Sequence, residues 1–250
     1  MEQNRTGTKI SRTIAIDGPA GSGKGTIAKF LANRLSGPDG NWIYVDSGLF
    51  YRYLAYCDLH EVAYKDAIEC MYSLDKSDKP NSSNLTTLFA PIMHYLQIGE
   101  DPQHIIPSLK TESCAGVASK MSQRPEIRHG VNTAIRLLEG NVVIDGRDTT
   151  TVIYPNADVK LFVTADVTTR AHRRMLEDSR VQTAQESNNP QEPLLQQYIY
   201  AVKERDANDT LRAIAPLRQA IDALLLDTSG LTIEQMCDAA LSLVRSRLKI

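Results

Sequence analysis

Five short apolar runs recur along the chain between longer stretches of helical periodicity: "TIAI" (Thr13–Ile16), "WIYV" (Trp42–Val45), "NVVI" (Asn141–Ile144), "VKLFV" (Val159–Val163) and "ALLLD" (Ala223–Asp227). Short continuous apolar runs, rather than alternating ones, suit strands covered on both faces, as in parallel sheets. After the first run, Ile27, Leu31 and Leu35 repeat at i, i+4 and i+8, a stripe that packs on such a sheet as a helix. The rhythm predicts βαβ units and a doubly wound α/β fold, a parallel central sheet flanked by helices. Near the end, "TIEQMCDAALSLVRSRLKI" predicts a closing helix, with Thr232 as N-cap and Gln235 three residues on.

The rhythm breaks twice. Between His60 and Met121, "LDKSDKPNSSNLTTLF" reads as loop and "MHYLQIGEDPQHIIPSL" as short strands between turns, together a small insert over 60–121. The polar stretch "VQTAQESNNPQEP" (Val181–Pro193) follows the basic helical segment "TTRAHRRMLEDSR", and the two read as a lid over 170–195. The expected organisation is therefore one domain over 11–250, with a core formed by 11–59 and 122–250.

A formal net charge of −2 argues against a nucleic-acid or anionic-membrane partner, since those need a basic excess, so any anion site must be local. The cysteines, Cys57, Cys70, Cys114 and Cys237, form no CxxC pair, which points away from zinc and disulfides and towards a reducing cytoplasm. The N-terminal "MEQNRTGTKISRT" has no apolar segment of the signal-peptide kind, and no window has the apolar length of a membrane span. A monomer acting on small molecules is the expectation.

The first apolar run leads into "DGPAGSGKGT". Gly18 and Gly23-Lys24 occupy the first, sixth and seventh positions of GxxxxGK[ST], between a strand and a helix as that pattern requires. Glycines let successive backbone N–H groups turn inward around phosphate oxygens, and the helix N-terminus adds partial positive charge. Gly18, Pro19, Ala20, Gly21, Ser22, Gly23, Lys24, Gly25 and Thr26 are thus candidates for holding a nucleoside triphosphate, with Lys24 reaching the β- and γ-phosphates. Gly25 stands where the general pattern has Ser or Thr, and the resulting "GKGT" resembles the loop of nucleoside monophosphate kinases.

Other stretches address the acceptor. "VDSGLFYR" follows the second apolar run, where an open α/β sheet forms its ligand crevice, which Ser47 and Arg52 would face. "VVIDGRD" ends a run in Asp145-Gly146-Arg147-Asp148; an aspartate at that point can hold Mg²⁺ through water, and Arg147 can offer a planar fork to phosphate. The ligand nearest Mg²⁺ stays open between Asp46 and Asp145. "ERDANDTLRAIAPL" sets Arg205, Asp209 and Arg212 at i, i+4 and i+7 on one face of a helix ending before Pro216. Each of these segments taken alone also reads as an ordinary solvated helix or strand-end turn.

Taken in order, "DGPAGSGKGT", "DSGLFYR", "RPEIR", "DGRD", "RAHRRMLE" and "KERDANDTLRAIAPL" resemble bacterial cytidylate kinases, from Thr13 to Ser246. The second half of the insert, "TESCAGVASKMSQRPEIR", resembles the family's monophosphate-binding insert. The resemblance implies that Gly18 to Thr26 bind ATP and that Arg52 and Arg147 hold the acceptor phosphate. It implies that Ser47, Arg128, Asp148 and Arg212 surround cytosine, and that Ser119, Arg205 and Asp209 meet the sugar. Two departures stand out: Thr149-Thr150-Thr151 follows Asp148 where the family carries an apolar residue and a glycine before threonine, and Asn208 replaces a frequent charge.

The implied reaction is ATP-dependent phosphorylation of CMP and dCMP. Cytosine offers its N4 amino donor beside the N3 and O2 acceptors, so a carboxylate or hydroxyl with arginine donors reads it. The acceptor phosphate, with a second pKa of about 6, needs no general base. Lys24 and Arg147 are the catalytic candidates, with Mg²⁺ on the donor phosphates and Arg170, Arg173 and Arg174 as lid arginines. The competing readings are a P-loop kinase for another nucleoside monophosphate or a small metabolite, and a non-catalytic nucleotide-binding module.

Overall fold

The computed structural model describes residues 12–37, 40–61, 82–101, 104–177 and 191–250. Five strands, β1 (Thr13–Asp17), β2 (Trp42–Asp46), β3 (Asn141–Gly146), β4 (Val159–Thr164) and β5 (Leu224–Asp227), form one sheet in the order β2-β3-β1-β4-β5. Every pairing is parallel, and each strand coincides with one of the five apolar runs.

Alternate residues of the central strands feed two separate cores. Ala15, Val45, Val142 and Ile144 face a layer containing α2 (Ser47–Leu59), α3 (Ser82–Leu88), α4 (Ala90–Ile98), α5 (Ile106–Leu109), α6 (Glu112–Met121) and α7 (Pro125–Arg136). Ile14, Ile16, Val143, Val159 and Leu161 face α1 (Lys24–Leu35) and the closing helix. Burial on both faces is what makes these strands read as unbroken apolar runs. In α1, Ile27 and Leu31 are fully buried and Leu35 packs at the core's edge, as their spacing predicts.

Two further helices complete the described chain: α8 (Val167–Glu177) and α9 (Gln191–Leu211) pack against each other. The closing helix, α10 (Ile233–Leu248), begins with the expected capping box. Gln235 N–H donates to Thr232 Oγ1 at 3.2 Å, and Thr232 N–H donates to Gln235 Oε1 at 2.9 Å.

The 60–121 region differs from expectation. Where short strands were expected over Met93–Leu109, the described residues form α4 and α5 instead. Pro91 and Pro107 sit in the first turn of each, and Gly99 closes α4 with φ 82° while donating to Tyr95 O. Asp101 then starts α5 by accepting from Ile105 N–H and Ile106 N–H, both at 2.9 Å. The stretch expected as loop before Phe89 is helical from Ser82: Leu85, Phe89 and Ile92 are fully buried at a helical spacing that outweighs the weak propensity of Ser, Asn and Thr. Residues 62–81, including the rest of that stretch, lie outside the described residues, as do 178–190 of the expected lid. The last residues of the polar stretch, from Gln191, already belong to α9. Among the described residues no helix is long and apolar enough to cross a membrane.

Candidate active site

The loop from Gly18 to Gly23 joins β1 to α1. Gly21 and Gly23 adopt φ of 76° and 88°, and a Cβ on them would lie 2.7 Å from Arg170 O and 2.8 Å from Met236 Sδ. Only glycine meets both demands. The loop's carbonyls are turned outward and held there. Arg170 Nη1 donates to Ala20 O at 3.3 Å, Arg173 Nη1 to Gly21 O at 3.5 Å, and Thr228 Oγ1 to Ser22 O at 2.9 Å. Gly23 at the N-cap offers no side-chain cap, and the first turn of α1 carries no acid. Its amide donors are therefore available to an anion.

This bonding gives two of the expected lid arginines contacts with the loop. Arg170 is 6% exposed and also binds Ala165 O and Asp206, while Arg173 donates to Thr228 Oγ1 and Thr228 O. Both brace the loop from outside, because the buried carbonyls there need donors. Arg174 is half-buried on the same helix.

Beside the loop opens a cleft of about 270 Å³, close to the lower end of the roughly 300–1,000 Å³ of small-molecule sites. The nine acceptor-side candidates, Ser47, Arg52, Ser119, Arg128, Arg147, Asp148, Arg205, Asp209 and Arg212, all line it, together with Lys24. Of the loop residues Gly18 to Thr26, Lys24 alone reaches this lining, its Nζ donating to Pro19 O at 3.3 Å.

The strand ends set the geometry. Asp46, at the end of β2, caps α2 by accepting from Gly48 N–H at 2.9 Å and pairs with Arg52 Nη2 at 2.5 Å. Asp46 and Asp145 are Cα partners across β2 and β3. Gly146 must be glycine because a Cβ there would collide with Ser47 Oγ and the Thr149 methyl. Arg147 Nε donates to Asp209 Oδ2 at 2.7 Å, tying β3 to α9. Buried Asp148 accepts from Arg128 Nη2 through one oxygen and from Arg212 Nη2 at 3.2 Å through the other. Arg212 lies one residue past the end of α9, not on its helical face; it is aimed by a 2.6 Å bond from its Nε to Ala215 O.

The departure at Thr149-Thr150 has a structural reason. Fully buried Asp17, the last residue of β1, accepts four bonds from it. Thr149 N–H and Oγ1 donate to Oδ1 at 2.8 Å each, and Thr150 N–H and Oγ1 donate to Oδ2 at 2.8 and 2.5 Å. Burial pushes the Asp17 carboxyl up, against the pull of these donors. The clasp holds a single π-helical turn (Thr149–Ile153) directly behind Arg147 and Asp148.

Burial and crowded charges shift several ionisable groups of the cleft from their ordinary values. Burial, then the Arg147 charge, lowers Lys24 to about 7. Burial, then Asp46, raises Asp145 to about 6. Arg205 stands at the solvent-accessible rim, where partial loss of water and then Arg147 and Arg174 bring it down to about 10. Such shifts collect where a site awaits a charged ligand.

Three side chains of this region escaped the sequence reading. Tyr51, whose ring lies 5.7 Å from the Arg128 guanidinium and whose buried Oη has no hydrogen-bond partner among the described residues, lines the cleft four residues after Ser47, a spacing that could have revealed it. Asp17 could have been noticed as an acid at the end of a buried strand. Tyr44, donating to Asp145 Oδ1 at 2.8 Å, gave no signal beyond an aromatic in an apolar run; burial and the two neighbouring aspartates push its hydroxyl pKa well up, so it remains a donor.

A family model described as cytidylate kinase matches residues 14–246. The cytidylate kinases of Shigella flexneri and of Escherichia coli (strain K12 / DH10B) are each 36% identical to the chain over 249 residues, spanning 97% of it and 99% of the relative. Among solved structures, TT1252 from Thermus thermophilus overlaps 95% of the chain and 98% of its own length, at 15% identity and a TM-score of 0.43.

Proposed function

The chain belongs to the cytidylate kinase family, and from that premise we propose that it transfers the γ-phosphoryl group of ATP to the phosphate of CMP and dCMP. The observation that carries the specificity is Asp148, a carboxylate 6% exposed and held between Arg128 and Arg212 beside Ser47. Its free lone pairs would accept from the cytosine amino group, and the two guanidiniums would donate to N3 and O2. Uracil would present O4 to a buried carboxylate and leave it unpaired.

The other residues take roles from their surroundings. The N–H groups of Gly18 to Thr26, with Lys24, receive the ATP phosphates; Lys24 regains its full charge when phosphate replaces Pro19 O as its partner. Arg52 and Arg147 receive the acceptor phosphate, and Ser119, Arg205 and Asp209 the sugar. Already ionised at neutral pH, that phosphate attacks without a base. Catalysis is then positioning and charge compensation by groups fixed in advance.

Mg²⁺ fits this donor set: two carboxylates at neighbouring strand ends, Asp46 and Asp145, match an ion that takes one or two carboxylates and completes its shell with phosphate and water. Asp46 is engaged by Arg52 and Gly48, so Asp145 is the freer partner. When bound, the ion neutralises charge on the donor phosphates. The buried free thiols of Cys57, Cys114 and Cys237 suit a reducing cytoplasm.

The test is an ADP-release assay with ATP against CMP, dCMP, UMP, AMP and no acceptor. CMP and dCMP should give by far the highest kcat/KM. Equal stimulation by AMP and CMP would overturn the reading.

A further inference from the structure

Most P-loops follow their lysine with Ser or Thr, whose hydroxyl ligates Mg²⁺. Here the position is Gly25, and the next residue, Thr26, is exposed to solvent. A Cβ built on Gly25 would stand 3.6 Å from Tyr44 Oη and 3.8 Å from Asp145 Oδ2. A hydroxyl therefore does lie beside this point of the loop, carried by a different strand. Tyr44 Oη donates to Asp145 Oδ1 at 2.8 Å, and the other oxygen, Oδ2, is the one that neighbours Gly25. The ring is fixed on both sides: it packs against the core under α1, and Lys29 Nζ lies 5.5 Å from its centroid.

We propose that Tyr44 supplies from β2 the hydroxyl that the P-loop lacks at Gly25, holding Asp145 with Oδ2 turned to the Mg²⁺ of bound ATP. The proposal rests on the kinase reading above. Tyr44 acts through Asp145 and is a positioning residue, of the kind that orients a ligating carboxylate from behind. Glycine at position 25 is then the complement of tyrosine at 44. A Cβ there would be in ordinary van der Waals contact with Tyr44 Oη, so a serine at this point would carry its hydroxyl beside the phenol. The backbone of Gly25 lies within α1 at an ordinary φ, so the side chain, and not the backbone, decides which residue fits.

The experiment measures ATP binding by calorimetry with Mg²⁺ and with EDTA, and Mn²⁺ binding to the ATP complex by electron paramagnetic resonance. Tyr44→Phe should leave metal-free ATP affinity unchanged and reduce the metal-dependent gain, and Mn²⁺ affinity, about tenfold. Adding Gly25→Ser to Tyr44→Phe should recover most of that loss, because the hydroxyl returns where the phenol oxygen has left room. The inference is overturned if Tyr44→Phe alters nothing, if it weakens ATP equally with and without metal, or if Gly25→Ser fails to rescue. A wild-type protein that releases no more ADP with CMP than without an acceptor would overturn the kinase reading itself, a result distinguishable from those three.

Discussion

Replacing Asp148 with Asn separates base recognition from phosphate handling. The carboxylate is 6% exposed, and its two oxygens accept from Arg128 and, at 3.2 Å, from Arg212. An ionised carboxylate has about four acceptor sites, so two remain for the N4 amino group of cytosine. With UMP, one charge-assisted bond is lost and O4 faces the carboxylate, a difference of about 2–4 kcal/mol. At 1.4 kcal/mol per decade this is a roughly 30- to 700-fold preference for CMP. Asn keeps the shape and can turn its NH₂ to O4, so the ratio of kcat/KM for CMP to that for UMP should fall by at least about tenfold. It should not reach unity, because N3 of uracil carries a proton and still opposes the guanidiniums. Asn is preferred to Ala because, although both remove the counter-charge of two largely buried guanidiniums, the amide oxygen still accepts a hydrogen bond from them and the volume is kept. The assay is steady-state ADP release with each acceptor. A CMP/UMP ratio unchanged within twofold, with both rates lowered together, would make Asp148 a scaffold residue and refute the base-reading argument.

Lys24 yields a proton-linkage prediction. Its pKa is lowered to about 7 by burial and Arg147, so at pH 8 it is largely neutral and must take up a proton when polyphosphate arrives, whereas at pH 6 it is already charged. Calorimetry without Mg²⁺, in buffers of different ionisation enthalpy, should show proton uptake on ATP binding at pH 8 and much less at pH 6; equal uptake at both would contradict the shift. Thr150→Val removes a 2.5 Å hydroxyl bond from a fully buried carboxylate and should lower stability by about 1.5–3 kcal/mol in urea unfolding. A change under about 0.5 kcal/mol would mean that Asp17 is satisfied by the backbone amides alone.

The five strands were legible in the sequence because parallel strands buried on both faces leave unbroken apolar runs, and the closing helix was legible because Thr232 and Gln235 mark its start. The helices between α2 and α6 were not, for two reasons. Ser82–Leu88 carries the polar residues of a loop, and its helical stripe becomes visible only with Phe89 and Ile92 included. Around 93–109, Pro91, Gly99 and Pro107 were read as breaks between strands where they start and stop helices. Residues carrying charge at motif positions converge on the cleft. Residues that act by holding others, Asp17 behind Asp148 and Tyr44 behind Asp145, look in sequence like a strand end and a core aromatic, and only their contacts distinguish them.

Charge selects the acceptor before the base is read. Lys24 and Asp145 offset one another, and the rest of the lining sets Arg52, Arg128, Arg147, Arg205 and Arg212 against Asp46, Asp148 and Asp209, a formal excess of two positive charges. A nucleoside monophosphate carries close to two negative charges at neutral pH. Arg52, Arg128, Arg147 and Arg212 already lean on carboxylates, so these guanidiniums are oriented before substrate arrives and need little rearrangement. Arg205 is brought down to about 10 by partial loss of water and then by its neighbours Arg147 and Arg174. An uncharged alcohol would leave the excess in place and would have no base suited to it, since the aspartates nearest the donor side are engaged by Arg52 and Tyr44. The charge of the described lining thus suits a phosphate acceptor better than a hydroxyl one, and in the proposed function Asp148 has only to choose among the monophosphates.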